Sequence, residues 1–300
     1  MELRHIRYVL AVADNGSFSR GAEALGVSQP TLSQQIKQLE DELGAQLLDR
    51  TGRAVRLTDV GAEFARYARS ALHDLEAAER AVHDVSDLTR GHLRLAVIPT
   101  ITAYLIGPVL RRFHERFPGV RVTITESTQD QIEADLLDDR VDLGIGYARA
   151  HPPAIQAAAL FVEALGLVVG QAHPLATQEK VAPSAIAGLP LALLTEAFVT
   201  RRNIDDALSE FGVTATAAVE ADAVGVLIDI ARGGVLGTVL PAEIGNRDGL
   251  RCVAFDPPLI GRQVELVRRA AAYHTFAGRA FAGEVRRTVE HIGLPANLPE

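Results

Sequence analysis

Apolar positions in the first sixty residues recur at helical spacing in three short blocks, each closed by a turn signal. Leu3 through Ala13 predicts a helix that supplies Ile6 and Leu10 to a small core. SFSRGAEALG (17–26) carries Phe18, Ala22 and Leu25 at i, i+4 and i+7, with Ser17 as cap and Gly26 as terminator. The next block, GVSQPTLSQQIKQLE, begins after a turn of only three residues, Gly26-Val27-Ser28. On a helical wheel Leu32, Ile36, Leu39 and Leu43 fall within about 60° of one another, a narrow buried stripe. Ser28 stands where a cap belongs, and Pro30 lies in the first turn, where a missing N–H costs nothing. LLDRTGRAVRLT (47–58) then reads as a hairpin turning at Thr51-Gly52.

From Thr58 to about Leu88 the chain has no proline and only Gly61. Phe64, Ala68, Ala71, Leu75, Ala78, Val82 and Val85 follow a strict 3.5-residue period, the seam of a coiled coil. The spacing predicts a long helix that pairs with a second copy, although small seam residues bury little area. TRGH (89–92) ends it, and strands alternate with helices from there on. LRLAVI (93–98), VRVTIT (120–125) and VDLGIGY (141–147) are expected strands, with helices through Phe117 and over Gln129–Asp138. A second set comprises LPLALL (189–194), a helix from Thr200 to Phe211, TATAAVEA, a helix over 222–232, the strand GVLGTVLP and a last helix from Phe276 to His291. Such alternation predicts parallel sheets in two half-size α/β lobes.

Composition narrows the function classes. The chain has 300 residues, 48% of them apolar and 23% charged, and lacks any apolar run long enough to span a bilayer. Its N-terminus is too charged for a signal peptide, so a cytoplasmic protein with no membrane partner is expected. The single cysteine, Cys252, excludes an intramolecular disulfide and a cysteine-clustered zinc site. No metal-ligand spacing of histidines, glycine-rich phosphate loop or nucleophile elbow occurs, so neither an enzyme nor a cofactor is expected. The net charge of −8 opposes nucleic-acid binding by a basic domain, and residues 1–58 balance seven basic against seven acidic side chains. Any DNA contact must come from local sorting of charge.

That sorting exists on the third block. Opposite its buried stripe lie short polar groups, the kind that reach base edges when a helix enters the major groove. Gln29, Ser33 and Gln34 are suited to base contact, while Thr31, Lys37 and the wing arginines Arg50, Arg53 and Arg56 are suited to phosphates. A solvated helical hairpin is the plainer alternative, but cap, tight turn, buried stripe and basic hairpin together favour a helix-turn-helix with a wing.

GSFSRGAEALGVSQPTLSQQIKQLEDELGAQLLDRTGRAVRLTDVG closely resembles the winged helix-turn-helix of LysR-type transcriptional regulators. The resemblance implies that Gln29, Pro30, Ser33, Gln34 and Lys37 occupy recognition-helix positions and Arg50 and Arg53 wing positions. It implies a multi-domain α/β chain with a DNA-binding domain over 1–58, a dimerising linker over 59–90, and a two-lobed, periplasmic-binding-protein-like effector domain over 91–300. Dimers that pair into tetramers, double-stranded operator DNA, RNA polymerase and a small-molecule inducer are the implied partners.

Effector residues are sought where strands give way to helices. Three such junctions are rich in hydroxyls: Pro99-Thr100-Ile101-Thr102, Ser127-Thr128-Gln129 and Phe198-Val199-Thr200-Arg201. Helix N-termini favour a small anion there; for any single threonine a helix cap is the better reading, and the convergence of three on one cleft favours a site. Family resemblance places inducer contacts at these positions, with Gly146 and Tyr147 bordering the same cleft. Segments 85–108, 125–139 and 198–205 are further similar to the branch of the family that controls cyanate operons, implying a small linear anion as inducer. A two-lobed solute receptor without a transcriptional role is the alternative reading; sequence-specific DNA binding by residues 1–90 separates the two.

Overall fold

The structure is a computed structural model that describes residues 1–52, 54–84, 91–259 and 261–295. Two compact units divide the chain, residues 1–83 and residues 84–300.

The first unit contains α1 (Leu3–Asn15), α2 (Phe18–Ala24) and α3 (Gln29–Leu43), a two-stranded hairpin of β1 (Leu48–Asp49) and β2 (Arg56–Leu57), and α4 (Asp59–Asp84). Local signals act as the sequence predicts. Ser17 Oγ accepts from the Arg20 N–H, and Ser28 Oγ accepts from the Thr31 N–H. Leu32, Ile36 and Leu39 are fully buried with Val9, Val12 and Ala22, whereas Leu43 is exposed at the helix end. Glu40 is the polar exception in this core. It accepts from the Leu47 and Leu48 N–H groups at 2.9 and 3.1 Å and from Arg50 at 2.7 Å, and so ties α3 to the start of the wing. Buried backbone donors must find acceptors, and this carboxylate supplies one where no strand partner is available.

At about 1.5 Å per residue the 26 residues of α4 make a rod of roughly 39 Å. Its beginning packs on its own unit through Phe64, Ala65, Ala68 and Leu72, against Ile6 and Leu10. Gly61 is required there: a Cβ on it would overlap the Leu47 carbonyl. Of the predicted seam, Ala71, Leu75 and Ala78 are exposed in the single chain. The Val82 side chain and Val85 lie outside the described residues.

In the second unit, a five-stranded sheet has the order β4-β3-β5-β13-β6. Its strands are β3 (Gly91–Val97), β4 (Val120–Glu126), β5 (Leu143–Tyr147), β6 (Ile155–Glu163) and β13 (Arg262–Arg269). Between β3 and β4 run α5 (Pro99–Ile101), a π-helical turn over Thr102–Ile106 and α6 (Gly107–Arg116); α7 (Gln129–Leu137) precedes β5. The last helix, α10 (Phe276–Ile292), returns to this first lobe, where Phe281 meets Phe113 edge-on at 5.4 Å between ring centroids. The second lobe holds a sheet of order β11-β7-β12-β8, from β7 (Leu165–Gly170), β8 (Lys180–Val181), β11 (Thr238–Pro241) and β12 (Leu250–Phe255). β9 (Leu191–Leu194) pairs in parallel with β10 (Ala217–Ala221), flanked by α8 (Val199–Ser209) and α9 (Val224–Arg232).

Two expectations need correction. The sheets are mixed, not parallel: β13 runs antiparallel to both β5 and β6, and β7 runs antiparallel to β11 and β12. The strands that reverse direction are also those that the sequence reading did not assign. QAAALFVEALGLVVG is a continuous apolar run with no turn residue before Gly166, and such a run does not separate strand from helix by period alone. It is β6 leading into β7, and it carries the chain from the first lobe to the second. The chain returns between β12 and β13.

These two crossings are joined side by side. Arg262, the first residue of β13, is the register partner of Glu163, the last of β6, and its Nη2 donates to Glu163 Oε2. Both side chains are buried, Glu163 completely. Breaking one half of a buried ion pair leaves an uncompensated charge, at a cost of about 3–5 kcal/mol. Glu163→Gln is therefore expected to lower unfolding stability by roughly 3 kcal/mol in urea, and adding Arg262→Met to restore more than half of that loss. Gly61→Ala is expected to cost about 1–3 kcal/mol by overpacking, read as a lower unfolding temperature of the first unit.

Candidate functional site

On the first unit, the outward face of α3 presents Gln29, Pro30, Thr31, Gln34 and Lys37, all exposed, with Ser33 half-buried. Ser19 on α2 donates to Gln29 Oε1 at 2.8 Å, which orients that side chain and leaves its amide nitrogen as a donor. The Thr31 hydroxyl lies 2.7 Å from Ser28 Oγ and so shares its role with the cap. Arg50 is held between Glu40 and the face of the Phe18 ring, 4.8 Å from its centroid. Its charge is thereby compensated within the unit, which weakens the case for it as a phosphate ligand. Arg56 on β2 is exposed; Arg53 lies outside the described residues.

In the second unit the three hydroxyl-rich junctions take different roles. Thr128 is a helix cap, its Oγ1 accepting from the Gln131 N–H. Thr100 and Thr200 are not caps. Each lies inside the first turn of its helix, α5 or α8, and each is completely buried. Their hydroxyl oxygens approach to 3.5 Å across the two lobes. The Thr100 oxygen is also 2.9 Å from the Tyr147 hydroxyl. Tyr147 donates in turn to Glu163 Oε2 at 2.9 Å, and Tyr104 donates to Glu163 Oε1 at 2.8 Å.

Because the one proton of Tyr147 goes to the carboxylate, Thr100 must donate to Tyr147, and Thr200 is left to donate to Thr100. The result is a directed relay from α8 in the second lobe to the lobe crossing at Glu163. Burial raises Tyr147 and Tyr104 above the ordinary phenol range, with Glu163 adding to the rise, so both stay protonated donors. The Arg262 guanidinium lies over the Tyr147 ring, 4.1 Å from its centroid.

The remaining expected residues flank this relay. Gln129 accepts from the Tyr147 N–H at 3.0 Å, and its side chain fills the space that a Cβ on Gly146 would occupy. Ile101 is buried in the apolar core, Pro99 opens α5, and Thr102 bonds back to the Ile98 carbonyl. Phe198 packs against the core around Leu194 and Val224. Arg201 is spent on structure: it binds Asp205 at 2.8 Å, Glu220 at 2.6 Å and the Leu194 carbonyl at 2.8 Å. It is therefore not a free cation for an anion in the cleft.

Tyr104, Glu163 and Arg262 were not among the expected residues. A signal existed in each strand, since Glu163 is the one acidic residue in ALFVEALGLVVG and Arg262 opens the otherwise half-apolar RQVELV. A lone charge in an apolar strand, as at Glu163, must be paired or neutralised, whereas Arg262 shares its strand with Glu265, Arg268 and Arg269 and stands out less. The pairing itself spans 99 residues and is invisible to local pattern.

Comparison with known proteins agrees with both units. Residues 3–62 match the bacterial regulatory helix-turn-helix model of the lysR family, and residues 86–290 match the LysR substrate binding domain. A probable hydrogen peroxide-inducible genes activator from Mycobacterium avium is 33% identical over 283 residues, covering 93% of this chain and 91% of that one. The DNA-binding transcriptional dual regulator OxyR of Escherichia coli K12 is 30% identical over 273 residues, 90% of each chain. Among solved structures, a cysteine-substituted full-length OxyR from Pseudomonas aeruginosa superposes with a TM-score of 0.77 at 26% identity, covering 95% of both chains. These relatives do not support the narrower resemblance to regulators of cyanate operons, which rested on short segments around the hydroxyl-rich junctions. With its helix-turn-helix and its effector domain both matched, the chain belongs to the LysR family of DNA-binding transcriptional regulators.

Proposed function

We propose that the chain reads an operator through α3 and is switched by a small, oxygen-rich effector at the Thr100–Tyr147–Thr200 relay. The contact between Thr100 and Thr200 carries this reading. At 3.5 Å it is longer than the usual 2.7–2.8 Å between hydroxyl oxygens, and it is a side-chain bond from one lobe to the other. A molecule standing between the two hydroxyls would replace one weak bond with two better ones. Buried donors without a partner lie on the residues that hold Tyr147: Nε2 of Gln129, and Nε and Nη1 of Arg262. Such donors are ordinarily satisfied, so an effector rich in acceptor oxygens suits the site. Neither α5 nor α8 has a side-chain cap, which leaves N–H groups toward the same junctions.

Hydrogen peroxide is the first effector to test, because relatives are named as hydrogen peroxide-inducible genes activators and a solved relative from Corynebacterium glutamicum, 25% identical with a TM-score of 0.60, is described as peroxide-bound. A small oxyanion is the second. Glu163 and Arg262 cancel each other's charge, so the relay carries no uncompensated positive charge that demands an anion. A disulfide within one chain is not available, because Cys252 is the only cysteine. Burial, reinforced by Glu243, pushes its thiol up to about 11, away from the reactive thiolate. Cys252→Ala is therefore expected to keep the full effector response in an operator-driven reporter.

On the operator side, the linker seam Ala71, Leu75 and Ala78 supports a dimer through α4, with two recognition helices meeting two half-sites. Pairs of dimers and contact with RNA polymerase complete the reading. Gln34→Ala should change the order of preference among operator variants. Lys37→Ala should weaken binding to every sequence alike and reduce the salt slope by about 0.9. Equal losses on specific and random DNA for both variants would remove Gln34 from base reading. Thr100→Val should abolish the effector's influence on the footprint while changing operator affinity less than twofold; an unaltered effector response would take Thr100 out of the site.

A further inference from the structure

The relay does not account for the other end of the same two strands. There a cavity of about 380 Å³ opens between β6, β13 and α10, lined by Gln156, Leu266, Arg268, His274, Arg279 and Arg286. Its walls are alanines and a leucine, Ala157, Ala158, Leu266 and Ala282, while three of its five polar residues, Arg268, Arg279 and Arg286, are cationic. Arg268 donates to the Gln156 amide oxygen and Arg279 to the His274 carbonyl, both neutral acceptors. None of Arg268, Arg279 and Arg286 forms an ion pair with a carboxylate among the described residues, whereas most other arginines of this unit do. Nε2 of the half-buried His274 is enclosed without a hydrogen-bond partner. Partial burial and then the three neighbouring guanidinium groups hold the His274 imidazole below its usual range.

Three guanidinium groups with no carboxylate partner among the described residues line one cavity and repel each other, and an anion placed among them would relieve that repulsion. Guanidinium groups match the planar forks of carboxylates and the oxygens of phosphoryl groups. We infer that this cavity is a second ligand site, which takes a small organic anion bearing a phosphoryl group or two or more carboxylates, with its carbon skeleton against the alanine wall. Six residues of β13 separate Arg268 from Arg262, about 20 Å at strand rise, so this site and the hydroxyl relay are distinct. They share β6 and β13, and the anion would bear on the strands that hold the Glu163–Arg262 pair.

The test is calorimetric titration of the full-length protein with citrate and, separately, with inorganic pyrophosphate, at constant ionic strength set by chloride. At least one of them should bind saturably, with one site per chain. Arg286 has no hydrogen-bond or ion-pair partner among the described residues, so Arg286→Gln should weaken that binding at least tenfold and Arg286→Glu should abolish it, with unfolding temperatures unchanged. Arg232→Ala, which removes a surface arginine of the second lobe, should bind as the wild type does. Binding of citrate alone identifies a polycarboxylate site, and binding of pyrophosphate alone a phosphoryl site. Absence of saturable binding by both, or equal affinity in wild type and Arg286→Glu, would overturn the inference.

Discussion

The effector domain is organised around one buried carboxylate. Glu163 ends the strand by which the chain leaves the first lobe, and it faces Arg262, which begins the strand by which the chain comes back. With Tyr104 and Tyr147 also donating to it, its oxygens are satisfied without water. A desolvated carboxylate is tolerated only on those terms. The two crossings are thereby held in register, and Tyr147 is fixed as the point where the threonines of both lobes meet. A displacement of Thr200 relative to Thr100 would be transmitted directly to the place where the lobes join. An effector can exert such a displacement only by binding the two arrangements unequally, and the long Thr100–Thr200 contact is where that inequality would arise.

The DNA-binding unit solves a related problem with Glu40. Its carboxylate lies in the core and takes up two backbone donors at the start of the wing together with Arg50. Helix α3 and the wing are therefore tied together by one side chain, close to the exposed polar residues of the same helix that are proposed to read DNA. Positioning and reading are separate jobs here. Arg50 is held by Glu40 and Phe18, whereas Gln34 and Lys37, with the amide nitrogen of Gln29, are exposed and suited to the proposed reading.

Much of this was legible in the sequence because the signals are local. Ser17, Ser28 and Pro30 act within one helical turn, and the stripe of Leu32, Ile36 and Leu39 repeats every three or four residues, so the helices and the turn between them follow from neighbours alone. The same holds for β3, β4, β5 and the helices that alternate with them. Local pattern fails at β6 and β7, where one apolar run carries no period that identifies a strand; β12 and β13 are short segments that carry arginines, and the antiparallel partners of all four lie far away in the chain. It also fails to distinguish three similar threonines. Thr128 proves to be a cap, whereas Thr100 and Thr200 lie two positions past the caps of their helices and approach each other. Arg201, at a position expected to bind the effector, is instead neutralised by Asp205 and Glu220, partners that only the folded chain supplies.

The central claim is that one molecule couples operator reading by α3 to an effector at the hydroxyl relay. A nuclease footprint of the full-length protein on the intergenic DNA upstream of its own gene, with and without hydrogen peroxide and a panel of small oxyanions, tests it most directly. The account predicts a protected stretch whose length or hypersensitive bands change with at least one of these effectors in the wild type. Protection absent at low salt and high protein concentration would contradict the operator reading, and protection indifferent to every one of these effectors would contradict the relay as the switch.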